Sequence, residues 1–197
     1  MNALRFLVLH GAQARPYLSQ IAELRIGVFR DFPYLYEGSL EYEEAYLETY
    51  FKSSHSALIL CFDDQRVVGV STAIALNEES PAIQKPFLER GLSLESYVYF
   101  GESVLSQEYR GRGVGKEFFK HRLQFARELQ GAVWAVFCTV IRSESDPLRP
   151  THYSPLNTFW DKQGFQEWTG MKCSLSWKRI GEASESAHEL QFWRKKI

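Results

Sequence analysis

The segment from Gln107 to Phe119, QEYRGRGVGKEFF, constrains the fold of this chain more than any other. Three glycines and two arginines stand within residues 110–115, directly after the run YVYFGESVL and directly before an apolar-periodic run. Glycine lets successive backbone N–H groups converge because no Cβ intervenes, and a helix N-terminus adds unsatisfied donors and the positive end of its dipole. The segment therefore predicts a strand, a phosphate-binding loop and a helix in direct succession.

Two other phosphate-binding motifs do not fit this loop. A P-loop requires glycine at the position of Arg110 and serine or threonine at the position of Glu117. The dinucleotide fingerprint requires glycine at the position of Lys116 and a parallel βαβ unit, whereas a predicted hairpin precedes this loop. The pattern [Arg/Gln]-x-x-Gly-x-[Gly/Ala] does fit residues 110–115, and it favours a pyrophosphate ligand.

Apolar periodicity and turn residues predict one mixed α/β domain over residues 1–197. Helices are predicted for 15–29, about 40–51, a short stretch within 79–95, from the glycine loop to about 129, and 156–163. Strands are predicted for 5–10, 56–62, 66–76, 97–105, 132–141, about 165–179 and 187–194, and the second and third of these form a hairpin.

Composition narrows the class of protein. The formal net charge of −1 argues against a general nucleic-acid binder, which usually carries a basic excess. Cys61, Cys138 and Cys173 lie in apolar runs without a CxxC pair, so we expect buried free thiols in a reducing compartment. No apolar run approaches the length of a membrane span, so we expect a cytoplasmic protein with no membrane partner. The histidines lack metal-ligand spacing, and no metal is expected.

With its elements in this order, the sequence resembles the GNAT superfamily of acyl-CoA-dependent N-acyltransferases. The resemblance covers most of the chain. It is strongest over Glu102 to Phe119, the family's coenzyme A motif, and it extends to Asn157–Phe165, where the family has a short helix ending in Gly-Phe. It implies an α/β (α+β) fold with a mixed, mostly antiparallel sheet of about seven strands flanked by helices. It also implies acetyl transfer from acetyl-CoA to a primary amine of a small molecule or peptide, by a monomer or homodimer.

Two other functions stay open at this point. The domain could bind coenzyme A as a regulatory or degenerate module without turnover. It could instead bind another phosphate-bearing ligand, such as a nucleotide. Activity toward an amine separates the first from an enzyme, and competition between coenzyme A and nucleotides separates the second.

The resemblance assigns the coenzyme site to the loop and to the strand before it. The main chain near Val104 and Leu105 is expected to pair with the pantetheine arm, which carries amides, as if the arm were another strand. The backbone N–H groups of six loop residues are expected to hold the pyrophosphate: Arg110, Gly111, Arg112, Gly113, Val114 and Gly115.

Glu102 is the candidate general base. An amine that is protonated in water must lose a proton before it attacks a thioester, and a carboxylate within an apolar strand is costly to bury without a purpose. In the family that the chain resembles, a Glu at this strand position often serves as base. The competing interpretation is a structural salt bridge to a neighbouring arginine.

The general acid departs from the family pattern. Many members place a tyrosine four residues before the Gly-Phe of the last helix, and Trp160 stands at that position here. An indole has no proton to give in this chemistry, so we expect Trp160 to form a packing wall for the coenzyme arm. Tyr153 and His152 are substitutes in the preceding loop, and either could be an ordinary surface residue.

The acceptor site is expected between the first two helices, in the segment Arg30–Gly38. Its candidate binding residues are Asp31, Tyr34 and Tyr36. Together with Glu37 and the acidic start of the next helix, Asp31 gives the entrance a negative character that suits a cationic amine. The competing interpretation is that the aromatic residues are part of the core and the acidic ones a solvated helix face.

Overall fold

The computed structural model describes residues 3–197 of the chain. Its strands are β1 (Arg5–Leu9), β2 (Ser56–Asp63), β3 (Arg66–Ala75), β4 (Tyr97–Tyr99), β5 (Ser103–Leu105), β6 (Trp134–Val140), β7 (Gln166–Lys178) and β8 (Glu185–Lys196). Its helices are α1 (Leu18–Phe29), α2 (Leu40–Lys52), α3 (Pro81–Leu88), α4 (Val114–Glu128) and α5 (Asn157–Lys162). Across residues 3–197, none of the helices is long and apolar enough to cross a membrane.

The strands form one eight-stranded sheet in the order β1-β2-β3-β4-β6-β8-β7, and β5 pairs with β3 in line with β4. The pair β4–β6 is parallel, whereas β1–β2, β2–β3, β3–β5, β6–β8 and β7–β8 are antiparallel. The predicted mixed, mostly antiparallel sheet is therefore confirmed. The count of about seven strands becomes eight because one predicted strand is interrupted.

Helices cover both faces of the sheet and divide the core into two. Alternate residues of each strand point to opposite faces, so Leu58 and Leu60 of β2 pack under α1, α2 and α3. Ile59 and Cys61 pack against the face that holds α4 and α5. Both cores are strongly aromatic. The three cysteines are buried free thiols, as predicted.

The predicted strand 97–105 is interrupted at residues 100–102, and the prediction of one continuous strand was wrong. Thr72 accepts a hydrogen bond from the N–H of Gly101 and donates its own N–H to the carbonyl of Glu102. Two residues thus oppose one, which is a β-bulge. Beyond the last bond to β6, from the Phe100 N–H to the Val136 carbonyl, β5 stays on β3 while β6 continues along β8. A gap therefore opens between β5 and β6.

The predicted helix over 15–29 is also shorter than expected. Residues Gly11–Tyr17 form a 3-10 helix, and the α-helix begins at Leu18. Pro16 has no backbone N–H to donate and fits poorly into the interior of an α-helix, so the chain changes helix type there.

Candidate active site

The edge of β5 that faces the gap carries backbone N–H groups without a backbone acceptor among residues 3–197. Backbone groups alternate in direction along a strand, and those of Glu102 and Ser106 bond to β3. Val104 has the same phase, so its amide points to β3, whereas the amides of Ser103 and Leu105 point into the gap. Of the two residues predicted to meet a pantetheine arm, Leu105 thus presents its backbone to the gap. The backbone of Val104 pairs with β3 instead, and its side chain is buried in the core.

The glycine loop forms a cradle of backbone donors. Gly111 and Gly113 have φ angles of +77° and +84°, which side chains rarely tolerate, and Gly113 is the N-cap of α4. Within residues 3–197, the five successive N–H groups from Gly111 to Gly115 have no backbone acceptor. The first helical bonds to the Gly113 carbonyl come from Lys116 and Glu117. An anion with several oxygen acceptors, such as a pyrophosphate, fits this set of donors and the helix dipole behind it.

The arginines of the loop lie at its rim. Arg110 is exposed, and its Nε donates to the Leu105 carbonyl at 3.3 Å. The guanidinium carbon of Arg112 lies 4.9 Å from the centre of the Tyr109 ring. A cavity of about 430 Å³ adjoins the loop, lined by Leu4, Phe6, Arg112, Gly113, Val114, Lys116 and Glu117. Its two cations can attract further phosphate groups.

Phe159, rather than Trp160, lies against the loop. A Cβ added to Gly115 would stand 3.1 Å from the tip of the Phe159 ring, so alanine there would require the ring to shift by a few tenths of an ångström. Trp160 is half-buried, and its ring packs edge-on against Phe137 and Trp193 at 5.3 and 5.2 Å. From the sequence, Trp160 was expected to form a packing wall for the coenzyme arm, and the adjacent Phe159 of α5 was missed.

Glu102 lies on the face of α1 and α2, in a buried ion-pair network. Its Oε1 is 2.6 Å from a terminal nitrogen of Arg25, and its Oε2 accepts a hydrogen bond from the Tyr46 hydroxyl at 2.9 Å. Arg25 also pairs with the buried Glu43. Glu102 therefore makes the ion pair with an arginine that the sequence left open. Across the bulge from it, the Tyr50 hydroxyl fills the space beside Gly101.

Glu79 is a third buried carboxylate, after Glu102 and Glu43, and no sequence pattern indicated its role. Burial raises its pKa to about 7; the N–H of Ser80, which bonds its Oε2 at 2.7 Å, opposes the rise, and the charge of Glu102 adds to it. Burial also raises the pKa of Tyr50, and the charges of Glu79 and then Glu102 add to that rise. Glu79 stands in a Glu-Glu-Ser-Pro stretch that is typical of a helix start, so its burial depends on tertiary packing alone.

Arg122 is a buried cation on the opposite face. It lies within the apolar stripe of α4 between Phe118 and Phe125 and is 3% exposed. Its guanidinium carbon is 4.5 Å from the centres of the Phe100 and Phe119 rings. Arg122 was missed at the level of sequence, although an arginine at a core position of an amphipathic helix is a signal that could have found it.

The predicted acceptor residues lie in different places. Tyr34 packs against Phe29 and Trp177, and its carbonyl accepts hydrogen bonds from Trp177 and Arg142. The Tyr153 ring lies 4.6 Å from that of Phe32, so the loop between β6 and α5, which carries Tyr153, packs against the segment that carries Tyr34.

The other two acceptor candidates are separate from that contact. Tyr36 is buried and bridges to the backbone of Arg179. Asp31 lines a different cavity of about 390 Å³, between α1 and the chain that follows β5. Of the predicted acceptor and acid residues, the structure thus brings Tyr34 and Tyr153 together and leaves Asp31 and Tyr36 elsewhere.

Comparison with protein-family models gives a match to the acetyltransferase (GNAT) family over residues 21–149. Similar solved structures include an acetyltransferase from Thermus thermophilus, with a TM-score of 0.58, 16% identity, and coverage of 100% of this chain and 98% of that one. Arabidopsis thaliana NAA60 in complex with acetyl-CoA has a TM-score of 0.64, 11% identity and 99% coverage of both chains. Ribosomal-protein-alanine N-acetyltransferase from Brucella melitensis has a TM-score of 0.63, 14% identity, and coverage of 97% and 99%. At these identities the likeness shows the fold, and no curated protein sequence gives a significant match.

The Arg25 network yields a stability prediction. Arg25→Met removes the cation that two buried carboxylates share, so we expect the free energy of unfolding to fall by about 3–5 kcal/mol. Arg15→Met is the control, because it breaks an exposed pair with Glu48 and should lower the free energy of unfolding far less. Urea denaturation at pH 7 measures both. Equal small losses in the two variants would contradict the role of Arg25 as the shared counter-ion.

Proposed function

This chain belongs to the GNAT acetyltransferase family, and we propose that it transfers an acetyl group from acetyl-CoA to a primary amine of a small molecule or peptide. The observation that carries the proposal is the set of five free N–H donors at the start of α4, beside a strand edge open to a gap in the sheet, within residues 3–197. An acyl-CoA has the matching parts in the same order: a pyrophosphate, an amide-bearing arm and a thioester. The related NAA60 was solved with acetyl-CoA, and separately with a bisubstrate analogue.

Charge on the other face of the sheet supports a cationic acceptor. Three buried carboxylates, Glu43, Glu79 and Glu102, stand near one arginine, Arg25, which pairs with two of them. The ammonium form of an amine would compensate the surplus negative charge. We propose that the amine approaches from this face, past Tyr34 and Tyr153. Asp31 and Tyr36 are proposed as outer contacts only.

Two carboxylates, Glu102 and Glu79, are candidates for the base that removes a proton from the amine. Glu102 was the candidate from the sequence, but both of its oxygens are engaged, and a proton on it would leave Arg25 with one carboxylate fewer. Glu79 makes no ion pair among the described residues, and its raised pKa suits a base that works near pH 7. We therefore propose Glu79 as the proton acceptor and Glu102 as the residue that, with Arg25, fixes the bulge.

The alternative is a member of the family that binds coenzyme A without turnover. A buried carboxyl with no cation partner among the described residues is a cost to stability, and such costs are concentrated at catalytic sites. This feature favours an enzyme over a binding module. Purified protein with acetyl-CoA, screened against amino acids, polyamines, aminoglycosides and peptides for release of free thiol, tests the choice. Coenzyme binding without thiol release from any class of amine would support the module.

The coenzyme loop can be tested with two glycines of equal conformation. Gly113 and Gly181 have φ angles of +84° and +85°, and an added Cβ meets open space at both. Alanine at either position should cost about 1–2 kcal/mol of backbone strain. We expect only Gly113→Ala to weaken coenzyme A binding, by at least about tenfold, because only there do the added Cβ and the strained backbone stand among the N–H donors of the cradle. Titration calorimetry that gives the same affinity for both variants would exclude the loop from the site.

The proton acceptor can be tested by pH dependence. In Glu79→Gln we expect kcat/KM for the best amine of the screen to fall by roughly 10²–10⁴-fold and to lose its rise through pH 7. Glu78→Gln, at the neighbouring half-exposed residue, is the control and should keep the wild-type kcat/KM and its rise through pH 7. A retained rise through pH 7 in a folded Glu79→Gln protein would exclude Glu79.

The pH dependence of folding stability provides a second test of the raised pKa of Glu79. Burial raises the pKa of Glu79 from 4.5 to about 7, so the folded state holds this proton more tightly than the unfolded state. Its contribution is therefore present at low pH and is lost as pH rises from about 4.5 through 7. Glu79→Gln should remove this loss, and its melting temperature should exceed that of the wild type more at pH 8 than at pH 5.

A further inference from the structure

Arg122 carries a buried charge that its described surroundings do not neutralise. Its Nε is sealed from solvent without a hydrogen-bond acceptor in the part of the chain that the structure describes. Two aromatic rings, those of Phe100 and Phe119, flank the guanidinium. Isolated buried charges are costly, and proteins usually pair them or use them to bind a ligand.

The ionisable groups that face Arg122 leave it a cation at neutral pH. Burial lowers its pKa to about 9, and the charges of Glu102 and then Tyr50 oppose that change. Glu102 acts only from a distance, because its oxygens already contact Arg25 and Tyr46 on the other face of the sheet. No carboxylate within residues 3–197 therefore forms an ion pair with Arg122.

Arg122 lies where the thiol end of a coenzyme bound by the loop and β5 is expected. It lies eight residues after Val114, the first residue of α4, which corresponds to about 12 Å along the helix from the loop. Its guanidinium stacks on Phe100, whose N–H makes the last bond to β6 before the gap opens. A coenzyme held by the loop and threaded along β5 would bring its sulfur, and no phosphate, toward this point.

We propose that Arg122 binds the coenzyme A thiolate as it leaves, and this rests on the proposed acetyl transfer. The amine nitrogen forms a bond to the thioester carbonyl carbon, the carbon–sulfur bond breaks, and its electron pair stays on sulfur. The guanidinium of Arg122 stabilises that negative charge. The former ammonium gives up two protons: Glu79 accepts the one lost before attack, the second passes to solvent as the amide forms, and the thiolate is protonated after release.

The test is the pKa of the coenzyme A thiol in its complex with the protein. Thiolate absorbance is followed over pH 6–9 with coenzyme A, and the complex with S-methyl coenzyme A gives the background of the protein's own thiols and tyrosines. In the wild type we expect the thiol to titrate at least about one pH unit below free coenzyme A, a tenfold preference for the thiolate. Arg122→Met should abolish this lowering and Arg122→Lys should keep part of it. Arg127→Met, at an exposed arginine of the same helix, should keep all of it.

Turnover and stability complete the experiment. In Arg122→Met we expect kcat to fall by at least tenfold. The melting temperature should be unchanged or higher, because an apolar side chain of similar size replaces an unpaired buried charge. A thiol that titrates alike in the wild type and Arg122→Met overturns the inference while the proposed function stands. Calorimetry that shows no coenzyme A binding to the wild type overturns both. A lowered thiol pKa without acetylation of any amine supports thiolate binding and counts against the proposed transferase.

Discussion

The β-bulge, in which Gly101 and Glu102 both bond to Thr72, is the constraint on which the rest of the site depends. It takes one peptide out of the ladder, so the chain leaves β6 after Phe100 and the gap opens with free amides along β5. It also turns the Glu102 side chain toward α1 and α2, where Arg25 and Tyr46 hold it. A Cβ on Gly101 would stand 2.0 Å from the Tyr50 hydroxyl, so the bulge is fixed from the helix side as well. Backbone geometry thus sets both the opening for a coenzyme and the charges around it.

The two faces of the sheet carry opposite charge at this point. On the side of α1 and α2, Glu43, Glu79 and Glu102 outnumber Arg25, and on the side of α4 the cation Arg122 has no carboxylate partner among residues 3–197. Amine acetylation by a thioester begins with an ammonium on one side of the reacting carbon and ends with a thiolate on the other. Fixed charges already in place need no reorganisation when those charges develop, and a water-poor surrounding makes them stronger.

Local sequence predicted the parts of the site that depend on local rules. The glycine loop, the start of α4 and the β2–β3 hairpin follow from glycine, helix periodicity and a turn, and each lies where it was predicted. The bulge was missed because YVYFGESVL is uniformly strand-like and the interruption is decided by Thr72, about thirty residues away. The choice between Phe159 and Trp160 depends on the rotation of a short helix, which periodicity over six residues does not fix.

Glu79 and Arg122 were missed for a different reason, and that reason supports their role. Each is an ionisable residue with no ion-pair partner among the described residues, and the absence of such a partner is a property of the folded chain. Burial moves both pKa values toward neutrality, to about 7 and about 9, so each group weakens the folded state that contains it. The remaining buried charges of the site, Arg25, Glu43 and Glu102, compensate one another. Glu79 and Arg122 have no ion-pair partner among the described residues, and we propose that the fold retains these two charges for a bound reactant.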